Sequence, residues 1–351
     1  MVETAKQSRP FAFRACTTIA VVVGMVALAF AYTAGWLSAR RLTPEKLIAA
    51  LQSESGPPLG HRRNHSKGIC FTGILEANGR GTALSTASVF APGVYPVVGR
   101  FNIGGTDPNQ PDPLAQVRGF GIRITTPDGQ EWRSAMIDAP VFAAPTAQAF
   151  YEFLTAARNN DPNALKKYSA VHPEILAFVS WVKNHLRTES WTEDRFNSLD
   201  SFIFIDATET KHAVRWSFVP ETPPVTLTPS ELAKREPNFL MEDIAARVAA
   251  HPQHWELMIT VASPGDPTAD PTKSWPEDRQ TINVGTLTVQ DVQQEADGPC
   301  RDINYDPVVL PSGITTSDDP IPAARSAAYA FSYDSRTSEA SHYPRVTRAK
   351  Q

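Results

Sequence analysis

From residue 15 to residue 37 the chain reads ACTTIAVVVGMVALAFAYTAGWL, without a single charged side chain. About 20 apolar residues in a helix cross the hydrocarbon core of a bilayer. Lys6, Arg9 and Arg14 precede the run, and basic flanks stay in the cytoplasm. The expected arrangement is a cytoplasmic tail at 1–14 and a single-pass transmembrane anchor at 15–38, with everything after it on the periplasmic or extracytoplasmic side. Trp36 stands where an interfacial aromatic would. The competing reading is a cleaved secretory signal, because Ala29-Phe30-Ala31 has the small residues of a cleavage site. The run is longer than most signal cores, which favours the anchor. Both readings export the rest of the chain.

The exported part is long enough for one large core. A net charge of -4 carries no basic excess, so no nucleic-acid partner is expected. Apolar residues alternate or run together between Gly and Pro breaks in ICFTGILEA, GVYPVVGRFNI and FGIRITTP, which predicts strands. A turn at 126–129 returns the chain as a further strand at 130–137. Spacings of three and four predict helices at 146–158, 163–168 and 173–185, after a short one in LTPEKLIAAL. Strands are expected again at 202–206, 213–219, 255–261 and 282–289. Thr228-Pro229-Ser230-Glu231 reads as a capping box opening a helix that ends near His251. The polar end, 338–351, reads as a flexible tail. Strands, then helices, then strands give an α+β domain on an antiparallel sheet or barrel.

Cys16, Cys70 and Cys300 show no metal-ligand spacing. Export permits a Cys70–Cys300 bridge, but cysteines so far apart read as unpaired.

Four segments, in order, resemble the haem catalase superfamily. Arg62-Arg63-Asn64-His65-Ser66-Lys67-Gly68 is similar to its R-x-x-H-A-K-G motif. Arg100-Phe101 and Arg118-Gly119-Phe120-Gly121 are similar to its R-F and R-G-F-A strands. Asp270-Pro271-Thr272-Lys273-Ser274-Trp275-Pro276, with Val284-Gly285 beyond, resembles D-x-T-K-x-W-P and V-G-x-L. Pro311-Ser312-Gly313-Ile314 and Arg325-Ser326-Ala327-Ala328-Tyr329 resemble the P-G-I segment and the R-x-x-x-Y motif. The chain is shorter than a full catalase and looks like the compact catalase-related peroxidases.

That resemblance implies an eight-stranded antiparallel β-barrel with helices around it, here a haem domain at 42–337 behind the transmembrane helix. It implies haem as cofactor, with protohaem b as the default. His65 would be the distal acid/base group, which suits a side chain of near-neutral pKa. Tyr329 would bind the iron as phenolate, helped by the guanidinium of Arg325 one turn away. Tyr333 is the rival ligand. Arg62, Arg100 and Arg336 match positions that hold or border the haem propionates, a task that suits the planar guanidinium fork. Phe150 matches the aromatic on the distal haem face.

Two positions depart from the pattern. Where the family has an asparagine in N-N-T-P, this chain has Ile137, followed by Asp138. Before the distal histidine stands Asn64, whose amide is expected to bond the imidazole or a pocket water. His212 is similar to a structural barrel histidine, and His251 and His254 read as non-metal residues. The implied activity is a peroxidase taking hydrogen peroxide or an organic hydroperoxide and a small organic donor, in a possible homo-oligomer. The alternatives are a true catalase, a fatty-acid hydroperoxide lyase or isomerase on the same fold, and a haem carrier or sensor without turnover.

Overall fold

The computed structural model describes residues 9–34, 36, 38, 41–52 and 56–342. The chain divides into two units, Met1–Thr43 and Pro44–Gln351. The first contains helix α1, Arg9–Thr33, whose Phe13–Thr33 stretch is long and apolar enough to cross a membrane. Much of the tail predicted at 1–14 lies outside the described residues.

The second unit is built on strands β1 (Gly68–Ala77), β2 (Gly93–Ile103), β3 (Arg118–Thr125), β4 (Glu131–Ile137), β5 (Arg187–Thr188), β6 (Phe196–Asn197), β7 (Phe202–Ile205), β8 (Lys211–Pro220), β9 (Thr226–Leu227), β10 (Gln253–Val261), β11 (Thr281–Gln294) and β12 (Ile314–Thr316). Its helices are α2 (Pro44–Leu51), α3 (Ala147–Ala157), α4 (Ala164–Val171), α5 (Ile175–Asn184), α6 (Pro229–Leu232), α7 (Phe239–Ala250) and α8 (Ile321–Ser338). Antiparallel pairing runs β1–β2–β3–β4–β6–β8–β10–β11 and returns to β1. That closed ring is the eight-stranded barrel, and closure removes the exposed edges. β7 and β12 extend from β8 outside the ring.

Period-2 alternation decides what each strand offers. On β4, Trp132, Ser134 and Met136 are buried inside, alternating with Arg133, Ala135 and Ile137. On β3, Phe120, Ile122 and Ile124 point inward. The interior is aromatic: Phe120 stacks on Phe196 at 4.7 Å between centroids, and Phe101 lies 4.9 Å from Phe71 and 5.5 Å from Trp255. Burying each such ring stabilises the fold by about 1.5–3 kcal/mol. The barrel is therefore a packed core, and any ligand must bind on its outer face.

Two expectations change. The capping box forms, with Thr228 Oγ1 accepting from the Glu231 N–H, but its helix ends at Leu232 and α7 starts anew at Phe239. Pro237 lies in the gap, and a proline cannot supply the helical N–H donor. Cys70 and Cys300 are bonded, with Cα atoms 5.3 Å apart. Cys70 pairs with Gln293 across the β1–β11 ladder, so the chain leaving β11 folds straight back over it. Of the polar tail, Glu339 accepts from the Gly60 N–H at 2.9 Å and pairs with Arg63 at 2.6 Å, and residues 343–351 lie outside the described residues.

Candidate active site

Strand alternation puts Arg100 and Asn102 of β2 on the same outer face. The ladder aligns Arg100 with Gly121 and Ala135, and Asn102 with Gly119 and Ile137. Gly121 and Ala135 are too small to stand up from the wall, and they line the floor of a cavity. A Cβ on Gly121 would sit 3.1 Å from the ring of Tyr305. The empty space, open mouth included, is ≈ 1340 Å³, somewhat above the roughly 300–1,000 Å³ of ordinary ligand pockets. His65, Arg62, Arg100, Phe150, Arg325, Tyr329 and Arg336 all line it.

His65 belongs to a loop in which almost every residue is tied down. Arg62 donates to the carbonyls of Cys300 and Ile303 and pairs with Glu295 at 3.2 Å. The buried Arg63 donates to the carbonyls of Pro58 and His61. Ser66 Oγ donates to the Arg62 and Thr106 carbonyls, and Lys67 pairs with Asp112 at 2.7 Å. These bonds hold His65 at φ 52, in the left-handed region, which costs a non-glycine residue about 1–2 kcal/mol. Asn64 does not reach the imidazole. Its Oδ1 accepts the His65 backbone N–H at 2.9 Å and so stabilises that turn. Burial pushes the His65 pKa down to about 4, and the Arg100, Arg325 and Arg62 charges act in the same direction. The ring is neutral across the physiological range.

Tyr329 and Tyr333 of α8 both line the cavity. Tyr329 Oη lies 3.1 Å from Arg325 Nη2, and Asp200 accepts from Arg325 Nη1 at 2.5 Å. Burial opposes the charge on Arg325, yet Tyr329 and Asp200 raise its pKa above the ordinary value. Tyr333 has the guanidinium of Arg336 over its ring face at 4.9 Å, a contact that does not hold its hydroxyl. Burial raises the Asp200 carboxyl, and Asp319, next to it, is raised by its own burial and by Asp200.

Arg62, Arg100 and Arg336 come from three segments and lie around one carboxylate, Glu295, which pairs with the first two. Arg100 reaches it at 2.7 Å and also donates to the carbonyls of His65 and Ser66. Arg336 donates to the carbonyls of Arg301 and Ile303, and burial among the other guanidiniums lowers its pKa to about 9. Burial alone would raise Glu295, but Arg100 and Arg62 hold it below the usual glutamate range. The cluster keeps two cations in excess at the cavity wall.

Phe150 packs against Phe142 at 5.2 Å on the helical side, and α2 adds Leu47, Ile48 and Leu51. Ile137 faces the cavity, whereas Asp138 does not line it. Asp138 Oδ1 accepts the Arg118 N–H at 2.9 Å. Its Oδ2 is buried without a partner, and burial next to Asp194 raises its pKa. His212 pairs with Asp206 at 2.9 Å on β8, far from any metal role; among the described residues no His, Cys, Asp and Glu group could hold an ion.

Glu295, Asn102, Asp200 and Tyr305 are site residues that the sequence reading missed. Asn102 stands two residues after Arg100, and the strand period alone puts it on the same face. For the others no local signal exists, because their burial depends on segments far away in the chain.

The catalase family model matches residues 43–348. A catalase-related peroxidase of Synechococcus elongatus is 33% identical over 329 residues, covering 92% of this chain and 95% of the relative. Another, from Mycolicibacterium paratuberculosis, is 29% identical over 299 residues, covering 84% and 95%. Among solved structures, a bacterial catalase superposes with a TM-score of 0.71 at 20% identity, over 83% of this chain and 60% of that one. Catalase A from Saccharomyces cerevisiae gives 0.68 at 18% identity, over 79% and 61%. The chain thus spans about three-fifths of these solved catalases and nearly the whole length of the two peroxidases. With a matching family model over most of its length and a matching barrel, the chain belongs to the catalase family.

Proposed function

We propose that this protein is a haem-dependent peroxidase that reduces an organic hydroperoxide or hydrogen peroxide while oxidising a small organic donor. The observation that carries the reading is that one cavity holds both a buried neutral imidazole, His65, and a phenol set against a guanidinium, Tyr329 with Arg325. The lining fits haem. Gly121 and Ala135 leave room for a flat ring, the excess cations of Arg62, Arg100 and Arg336 suit two propionates, and Phe150 and Phe142 supply an apolar face. Tyr329 would be the iron ligand, its oxygen 3.1 Å from the guanidinium of Arg325. Haem, when bound, supplies an iron centre that takes up the oxidising equivalents of the peroxide.

The residues of the chain supply proton transfer and exclusion of water. The neutral His65 accepts the proton from the hydroperoxide oxygen that stays and delivers it to the oxygen that departs. The departing group leaves as water or alcohol instead of as an anion. General acid–base catalysis of this kind contributes about 10²–10⁴-fold. Leu47, Ile48, Leu51, Phe142 and Phe150 make the approach apolar, which favours organic hydroperoxides. The same feature supports the second reading, rearrangement of a fatty-acid hydroperoxide by a lyase or isomerase. α1 serves as a single-pass anchor with the enzyme domain outside the cytoplasm. The buried Cys70–Cys300 bond supports that location, since disulfides persist in oxidising compartments.

Product analysis tests the assignment. The haem-loaded full chain, given a lipid hydroperoxide and a phenolic donor, is expected to yield the alcohol and oxidised donor in proportion. An epoxide or allene oxide without donor oxidation would establish rearrangement. Oxygen release from hydrogen peroxide with the donor untouched would establish a catalase.

A further inference from the structure

The imidazole of His65 can act as a base at one nitrogen only if the other carries the proton, and the chain must decide which. His65 Nδ1 is buried and has no hydrogen-bond partner of strict geometry; the same holds for Asn102 Oδ1. The two atoms crowd the same spot. A Cβ built on Gly119 would lie 2.1 Å from Asn102 Oδ1 and 3.0 Å from His65 Nδ1. The other end of the amide is committed, because Asn102 Nδ2 donates to the Arg100 carbonyl at 3.4 Å. Its oxygen is therefore the end that faces the imidazole.

We infer that Asn102 is the positioning residue of the site: its Oδ1 accepts the Nδ1–H of His65 and leaves the lone pair on Nε2. The inference rests on the reading of His65 as the acid/base group. Two buried polar atoms that would each cost free energy alone satisfy one another. Gly119 is required for it, since any side chain there would push the pair apart. The ladder also explains why the amide comes from β2. Asn102, Gly119 and Ile137 form one cross-strand row, so β2 offers a carboxamide where β4 has only an isobutyl-sized hydrocarbon. The charges acting on the ring are Arg62 before β1, Arg100 on β2 and Arg325 on α8, all of which favour its neutral form.

Nitrogen-15 NMR of the histidine-labelled full chain, haem-free in detergent, reads the tautomer without any turnover. The expected result is a protonated Nδ1 and bare Nε2 for His65 from pH 5 to 8. Asn102→Ala should give mixed tautomers and, in the haem-loaded protein, lower kcat/KM for peroxide about 10–100-fold, as for other orienting partners of active-site histidines. Asn102→Asp keeps an acceptor against Nδ1. It should preserve the tautomer and move the acid limb of kcat/KM to higher pH, because a carboxylate favours the imidazolium. A bare Nδ1 in the wild type, or an Asn102→Ala protein with unchanged tautomer and rate, would overturn the inference. If Asn102→Ala does not fold, the acid-limb shift of Asn102→Asp still decides: an unmoved limb refutes contact with Nδ1. Loss of peroxide activity in every form, with the NMR result intact, would instead count against the peroxidase reading alone.

Discussion

The two sides of the cavity hold their key polar groups in different ways. On the His65 side a strained loop buries an imidazole next to cations and keeps it uncharged. On the Tyr329 side, α8 brings Arg325 within 3.1 Å of the phenol and backs it with Asp200. Burial beside like-signed neighbours governs the first, and a hydrogen-bonded, ion-paired guanidinium marks the second. The same kind of side chain thus does two jobs: near His65 the guanidiniums add to burial in keeping the imidazole neutral, and beside Tyr329 the guanidinium of Arg325 is a hydrogen-bond donor to the phenol oxygen.

The sharpest way to break the contrast is to remove the neutral base. His65→Ala is expected to lower kcat/KM for peroxide by about 10²–10⁴-fold with haem still bound, measured by stopped-flow absorbance. A change below threefold would remove His65 from the chemistry. The same residue gives a stability signature. Its folded pKa, about 4, lies below the unfolded value near 6.5. The stability gained by burying the neutral ring is thus present above pH 6.5 and lost as pH falls toward 4. The loss amounts to about 3 kcal/mol, and denaturant titrations of the wild type against His65→Ala across that window measure it.

Glu295 sharpens the comparison from the cationic wall. Its replacement by Gln leaves Arg62 and Arg100 without their shared anion, and breaking a buried pair costs about 3–5 kcal/mol. The folded pKa of Glu295 is depressed, so its contribution is present above the ordinary glutamate pKa and lost as pH falls through the lower folded value. A Glu295→Gln protein with wild-type stability at pH 7 would mean the guanidiniums are adequately held by carbonyls. Breaking Cys70–Cys300 by a double alanine substitution is expected to cost about 2–5 kcal/mol, seen as a lower Tm. It should also loosen the Cys300 and Ile303 carbonyls that hold Arg62 and Arg336. Smallest is Asp200→Asn, which weakens the support of Arg325 and should reduce haem affinity about 10–100-fold. Equal haem affinity in that variant would show that Arg325 serves Tyr329 unaided.

The strands were legible because each carries its own alternation; Trp132, Ser134 and Met136 announce an inward face without help from elsewhere. The 62–68 loop and the Arg325-to-Tyr329 spacing were legible as motifs, because all the residues of each motif are close in sequence. What was hidden depends on barrel closure. Cys70 meets Cys300 only after β1 pairs with β11, and Glu295 becomes the anion for Arg62 and Arg100 only where those same strands end. The α6–α7 break shows the opposite fault: Pro237 was in plain view, yet the capping box before it and the apolar spacing after it suggested one continuous helix. Asn64 does not play its expected part, because the backbone turn at His65 consumes its amide oxygen, while the strand period sets Asn102 on the face of Arg100.

The central claim is that His65 and Tyr329 face one haem with different duties. The most direct test is to load the full chain and its Tyr329→Phe variant with haem and record absorption before and after one equivalent of peroxide. The account predicts a ferric phenolate-type spectrum in the wild type, altered by peroxide and restored by a phenolic donor, and loss of that spectrum in the variant. Identical spectra for the two proteins, or a wild-type spectrum indifferent to peroxide, would contradict it.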